Sequence, residues 1–417
     1  MQPLSLARIL LYSVANMGAN IVYMFTNMAF PLFLSAYPVS NLVIGFLAQE
    51  RSFVGAFVQP LVGAVSDRLP PNRLGRRRPF FLVGVPLTAA ALVFLATSPS
   101  LWAVIAVLTV FSFFLAVAYD PYLALLPDIT PPGQRGRVGG VMAVFAMAGG
   151  VSVILLSFLL WESQRALVFW LVAIGLVATF AVTFCTVREP PAPAVVRREK
   201  RRVAVGMYVR DLLERRELLK YLAVTFFFWL GNGGITPFVT RFGVEVLRVE
   251  ENVSFLLVLP AILGAAVFAV PAGLLTERFG KKGVLCVGMC LFGLLACVGA
   301  QLVRDLPQAV VLMSVVGVAN AITTALTYPM LADLIPRARA GELMGLGSAV
   351  QSLAQPIGAM AAGALADASG TLRGAFIAGG LAMFIAFLIL LTVRPDRALR
   401  AAEPGEEPAL AGAVGQT

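Results

Sequence analysis

The sequence predicts an all-α membrane protein whose twelve transmembrane helices form two pseudo-symmetric six-helix bundles. Three observations carry that expectation. Of the 417 residues, 59% are hydrophobic and 13% charged, whereas soluble domains carry about 25% charged residues. Apolar runs long enough to cross a bilayer, about 20 residues each, occur twelve times along the chain. Polar motifs between these runs recur in the same order in the two halves.

The first run, 8–35, extends well beyond a signal-peptide core and no small-residue cleavage site follows it. It therefore reads as a span and not as a cleavable leader. Runs 40–66 and 80–98 flank a short polar loop carrying Arg68, Arg73, Arg76, Arg77 and Arg78, and arginines so placed hold the loop on the cytoplasmic side. Runs 101–127, 138–161 and 165–187 complete the first bundle. Run 218–242 contains Gly231, Gly233, Gly234 and Pro237, which predict a local break in the helix. Runs 250–276, 283–303, 306–331, 341–366 and 371–393 complete the second bundle. All are continuously apolar and not alternating, which selects helices over barrel strands.

The net charge of +10 invites a nucleic-acid partner, but its distribution points to lipid. With an even number of spans and both termini cytoplasmic, Arg165, Arg241, Arg248, Arg304 and Arg373 fall on the opposite side and Arg51 falls within a span; the remaining Lys and Arg lie at cytoplasmic ends and loops. The basic charge is thus a topology and membrane-surface signal, and a bacterial inner membrane is the expected location. Cys185, Cys286, Cys290 and Cys297 all lie inside predicted spans and read as small apolar residues, with no disulfide or zinc site expected.

Residues 1–187 are expected to form the N-terminal bundle and 218–394 the C-terminal bundle. Between them, 188–217 is a basic cytoplasmic linker with an amphipathic stretch at 208–219, suited to anionic headgroups. The tail 395–417 is rich in Ala, Gly, Pro and Glu and reads as disordered. Gly63, Asp67 and Arg68 recur 210 residues later as Gly273, Glu277 and Arg278. Asp128, Pro131, Gly136 and Gly140 recur 205 residues later as Asp333, Pro336, Gly341 and Gly345. Parallel repeats of this kind place a binding site at their interface near the bilayer midplane.

The segment Gly63-Ala64-Val65-Ser66-Asp67-Arg68, followed by Arg73-Leu74-Gly75-Arg76-Arg77-Arg78-Pro79-Phe80, resembles the signature loop of the major facilitator superfamily, and the resemblance covers about residues 8–394. Within that superfamily the arginine-rich loop and Ala124-Leu125-Leu126-Pro127-Asp128 are similar to the sucrose–proton symporters and the related glycoside–pentoside–hexuronide cation symporters. The sequence departs from them at the insertion Pro70-Pro71-Asn72 and at Leu123, where the sucrose group carries arginine; Asp120 stands a turn earlier instead. The resemblance implies a monomeric secondary transporter that works by alternating access and takes up a sugar or glycoside with a cation, a proton or sodium. The alternative is a proton-driven exporter of amphipathic compounds; its proline in span 5 is missing here, where Gly149-Gly150 stands alone. No phosphate-binding Gly-x-x-x-x-Gly-Lys loop is present, which argues against ATP drive. Neither a cofactor nor an enzymatic constellation is expected.

Asn16, Asn20, Tyr23 and Asn27 are spaced by 4, 3 and 4 residues and share one stripe of the first helix. Amides facing lipid without partners are costly, so the stripe faces the interior, either to hydrogen-bond a polyhydroxylated solute or to join helices. Trp229, Asn232, Thr236 and Thr240 form the matching face of the seventh span, with Trp229 suited to stacking on a sugar ring or packing against lipid. Ser348, Gln351, Ser352 and Gln355 in span 11, and Asn320, Thr324 and Thr327 in span 10, offer further polar contacts or packing.

Glu50, Arg51 and Asp120 lie within spans, where ionisable residues mark function by default. Asp120 lies about 12 Å above the cytoplasmic end of its helix, and Arg51 about 24 Å above Asp67, which makes a direct Arg51–Asp120 pair a long reach. Asp120 is the expected coupling carboxylate, alternately protonated or sodium-bound, with Glu50 second and helix packing the competing role. The chain has no histidine, so a proton relay runs through carboxylates, tyrosines or water. The resemblance assigns Asp67, Arg68, Arg76, Arg77, Arg78 and Asp128 to a gate that locks the outward-facing state, the arginines pairing with Asp128.

Overall fold

A computed structural model describes residues 4–68, 75–187, 189, 215–335 and 340–394. Arg73, nearly all of the expected linker and the whole tail 395–417 lie outside the described residues, as do the side chains of Asp67 and Arg68.

The first half comprises α1 (Leu6–Leu34), α2 (Asn41–Arg68), α3 (Arg78–Ala96), α4 (Leu101–Ile129), α5 (Arg135–Leu160) and α6 (Arg165–Thr186). The second begins with α7 (Arg216–Glu245). Next, α8 opens at Glu251–Leu256 and runs into the segment Val258–Leu294, which Gly280 divides. At φ 72° and ψ 152° that residue occupies a region open to glycine and closed to most side chains. The part beyond it, through the π turn Leu295–Gly299 and Ala300–Leu302, is α9. Finally come α10 (Leu306–Asp333), α11 (Ala340–Ser369) and α12 (Arg373–Thr392). No strand occurs among the described residues. Ser5, Ser100 and Asp305 cap α1, α4 and α10 by accepting from the backbone N–H three residues on, the usual remedy for unpaired first-turn donors.

Among the described residues, ten helical segments are long and apolar enough to cross a bilayer by length and composition alone. The two helices without such a window are α2 and α11, diluted by Gln49–Ser52 on one and by Ser348, Gln351, Ser352 and Gln355 on the other. They pack against each other between the halves, so their polar faces meet protein and not hydrocarbon. Around the outside, large apolar side chains such as Trp102 (79% exposed) and Val267 (75%) stand free, as lipid contact requires.

In the first half α1 packs on α5 and α6, and α4 on α2 and α3; in the second, α7 packs on α11 and α12. The two halves repeat their internal contacts. Tyr12 and Tyr122 each donate to the other's carbonyl, at 2.7 and 3.0 Å; Tyr221 donates to the Thr327 carbonyl at 2.7 Å at the corresponding place. Arg76 pairs with Asp128 at 3.2 Å, and Lys281 with Asp333 at 2.6 Å, the second pair standing 205 residues after the first.

The helical body starts and finishes at one end, here the terminal end. Contacts joining the halves gather at the opposite, far end. There Asp367 at the end of α11 accepts from the Asn41 N–H (2.9 Å), the Asn41 amide (2.7 Å) and the Leu42 N–H (3.1 Å), capping α2 from across the interface. Glu251 at the start of α8 accepts from the Trp161 indole (2.7 Å) and the Arg165 guanidinium (2.6 Å). Thr240 donates to the Met28 carbonyl at 2.7 Å. Between α2 and α11 the backbones meet so closely that a Cβ at Gly45 would lie 2.3 Å from the Ala359 carbonyl oxygen.

Candidate functional site

A cavity of about 590 Å³ lies between the halves. Its first-half wall is Tyr23, Met24 and Met28 of α1 with Met147 of α5; the rest comes from α7, α8, α9, α10 and α12. The polar side chains on it are Tyr23, Trp229, Asn232, Thr236, Asn320 and Thr324.

The second-half part of this set is a linked group. Asn232 donates to Asn320 Oδ1 at 3.3 Å and accepts from the Thr236 hydroxyl at 3.3 Å. Thr236 also returns to the Asn232 carbonyl at 2.8 Å, and Thr324 to the Asn320 carbonyl at 2.6 Å. The break expected in this helix occurs as a 3-10 turn at Thr236–Phe238, where Pro237 cannot supply an N–H. Trp229 lines the cavity, with its Nε1 buried and without an acceptor among the described residues.

On α1 the predicted stripe is polar, but its members do different things. Tyr23 lines the cavity, with the Arg51 guanidinium 4.6 Å from its ring centroid, a cation–π arrangement. Asn16 is buried; its amide donates to the Met142 carbonyl at 2.8 Å and its oxygen accepts from the Tyr119 hydroxyl at 3.2 Å. Asn20 donates back to the Asn16 carbonyl at 2.9 Å. Asn27 lies in a π turn, Phe25–Ala29, donates to the Tyr23 carbonyl at 2.8 Å and accepts from Gln49 at 2.7 Å. Asn20 thus bonds within α1, while Asn16 and Asn27 join α1 to neighbouring helices in this state. Gln355 does the same across the halves, accepting from Ser52 at 2.8 Å.

Glu50 and Arg51 diverge, as adjacent helical residues should. Glu50 is 5% exposed and accepts from the Ser112 hydroxyl of α4. Asp120 is half-buried, and its Oδ2 is sheltered without a hydrogen-bond partner. The positive charge acting on both acids is that of Arg51, which forms no ion pair within 4.0 Å with either among the described residues. The sequence distinguished neither Gln49 nor Ser112, although both are polar residues within spans.

At the terminal end, Arg76 and Arg77 both reach Asp128 Oδ2, at 3.2 and 3.3 Å, the expected pairing. Arg78 instead donates to the Phe184 carbonyl and lies 4.4 Å over that ring. Glu189, not foreseen, accepts from the Arg77 N–H at 2.9 Å.

Two six-helix repeats sealed at one end around a cavity, with ionisable side chains held inside spans, define a membrane transporter. The chain belongs to the MFS/sugar transport protein family, which it matches over residues 11–394. It is 27% identical over 306 residues to the hexuronate transporter of Bacillus subtilis, covering 67% of this chain and 70% of that protein. An uncharacterized MFS-type transporter of Methanocaldococcus jannaschii is 22% identical over 374 residues, 87% of this chain and 89% of that protein. A solved bacterial homolog of the human lysosomal transporter Spinster, inward-facing and occupied, superposes with a TM-score of 0.75 at 15% identity over 96% of this chain and 98% of that one. The major facilitator fold is thereby shown.

Proposed function

We propose that this transporter takes up a sugar or glycoside together with a proton, by alternating access, across a bacterial inner membrane. The observation that carries the reading is a division of labour across one cavity. The second half presents an indole ring, Trp229, and a linked group of amides and a hydroxyl, Asn232, Thr236 and Asn320, the latter able to donate to and accept from a polyol. Behind the first-half wall stand a cation, Arg51, laid over the cavity-lining Tyr23, and a carboxylate, Asp120, with a sheltered oxygen that has no hydrogen-bond partner among the described residues. Tyr23 connects the two, since it touches both the solute space and the guanidinium. The likeness to a hexuronate transporter supports a carbohydrate solute.

On this reading the terminal end is cytoplasmic, the far end is sealed and the state seen is inward-facing. Asp120 is the coupling acid and Glu50 supports α2 against α4. Asn16, Asn20, Asn27 and Gln355 frame the site and exchange partners as the halves rock. Asp67 and Arg68, with Arg76, Arg77, Arg78 and Asp128, form the cytoplasmic gate. The largely aliphatic remainder of the cavity wall favours a second reading, proton-driven export of amphipathic compounds.

pH recording on proteoliposomes during addition of a sugar panel separates the two. Solute-triggered proton entry, lost in Asp120→Asn, supports the symporter; proton movement only with lipophilic cations moves the exporter forward, and solute uptake driven by sodium alone exchanges the ion. Asn232→Ala removes hydrogen bonds worth about 1 kcal/mol net each and leaves the Asn320 Oδ1 without its donor, so KM should rise about tenfold in uptake assays. Asp128→Asn weakens two partly exposed ion pairs worth about 1 kcal/mol or less each. Its thermal midpoint should fall by a few degrees at most, about 2–4 °C per kcal/mol, while the uptake rate falls several-fold.

A further inference from the structure

The cavity is not polar throughout, and its polarity changes with depth. Counting along the helices, Asn232 lies about 24 Å from the terminal end of α7 and Asn320 about 21 Å from the far end of α10, so the polar group sits near mid-depth. Beyond it the space continues toward the far end, bounded by Val258 and Ile262 of α8, Leu312 and Val316 of α10 and Phe376 of α12. Leu312 and Val258 stand only about 9–10 Å from that end. The residues that α8, α10 and α12 give to this recess carry no hydrogen-bonding side chain; Thr236 of α7 stands at similar depth, about 14 Å from the far end, with its hydroxyl held by the Asn232 carbonyl.

A free sugar filling such a space would lose water from its hydroxyls without gaining partners, which is unfavourable. A molecule with hydroxyls at one end and an apolar body at the other satisfies both zones. Met24, Met28, Met147 and Met313 also line the cavity, unbranched side chains that adjust to apolar bodies of different outline.

We propose that the solute is a glycoside with an apolar aglycone, its sugar held by Tyr23, Trp229, Asn232 and Asn320 and its aglycone lying in the aliphatic recess between α8 and α10. The proposal rests on the reading of this cavity as the carbohydrate transport site.

The test uses the full chain in proteoliposomes and compares, for glucose, galactose, xylose and glucuronate, the free sugar, its methyl glycoside and its phenyl glycoside. The expected result is a preference for the phenyl over the methyl glycoside of at least one sugar by about tenfold or more in kcat/KM, the scale on which apolar pockets discriminate. Val258→Phe, which enlarges a side chain on the recess wall, should collapse that preference. Val316→Thr, nearly equal in volume but adding a hydroxyl, should lower it in the same direction and guards against misfolding of the larger replacement. Equal transport of free sugar and phenyl glycoside, or a preference that both variants leave intact, overturns the aglycone assignment while the carbohydrate reading stands. Transport of none of these compounds, with proton movement on adding a lipophilic cation, overturns the carbohydrate reading and this inference together.

Discussion

Asp120→Asn should abolish cation-driven accumulation while leaving exchange of labelled for unlabelled solute. Asparagine keeps the shape of the side chain and removes the charge that a coupling ion must neutralise. Because Asp120 has no ion pair within 4.0 Å among the described residues and a sheltered oxygen without a partner, the replacement breaks no recorded bond, and folding should be little affected. The effect on work is large. One charge moving through about 100 mV supplies about 2.3 kcal/mol, roughly a fifty-fold concentration ratio, and the variant should level at a ratio near one. Glu50→Gln serves as the contrast: Glu50 is buried against Ser112, and glutamine still accepts that hydroxyl, so accumulation should survive at a lower rate. Accumulation retained by Asp120→Asn and lost by Glu50→Gln would reverse the assignment.

Gly45→Val should trap the opposite conformation. The new Cβ would lie 2.3 Å from the Ala359 carbonyl oxygen, and that oxygen belongs to the α11 backbone, which cannot rotate aside. Relief comes from separating α2 from α11, which also parts Asn41 from Asp367 and Ser52 from Gln355 on either side of the contact. Overpacking costs of about 1–3 kcal/mol change a two-state ratio by roughly five- to a hundred-fold. In a background lacking Cys185, Cys286, Cys290 and Cys297, Thr240→Cys reports the change: Thr240 is fully buried at the sealed interface, so labelling by an impermeant maleimide from the far side should rise several-fold with Gly45→Val, and uptake should fall. Unchanged labelling would mean that the interface accommodates the side chain without parting.

Most of the architecture was legible because hydrocarbon leaves the backbone few choices. Even α2 and α11, too polar to qualify by composition, read as spans, and the glycines and Pro237 located the irregularity of α7. The π turn in α1 was less legible: Pro31 has no N–H to offer the Asn27 carbonyl, a cue that lies in the sequence but does not specify which turn results. At the site, helical spacing identified which face of α1 is polar. It did not reveal that Asn16 and Asn27 bond neighbouring helices while Tyr23 faces the cavity, because partners such as Met142 and Gln49 come from other spans. Arg165 and Arg241 looked like topology charges alone. Arg165 holds Glu251 and Arg241 reaches Asn41 at 2.6 Å, contacts that only the assembled bundle creates, while the Arg241–Glu245 pair is an i,i+4 contact within α7.

The far-end seal is reciprocal. Its acids, Asp367 and Glu251, belong to the second half and receive groups from Asn41, Leu42, Trp161 and Arg165 of the first, while Thr240 and Arg241 of the second half donate to the Met28 carbonyl and the Asn41 side chain of the first. Asn41 is thus held twice, its amide by Asp367 of α11 and its oxygen by Arg241 of α7. Withdrawing either helix alone leaves the other still holding the same residue, so this end parts only when both let go.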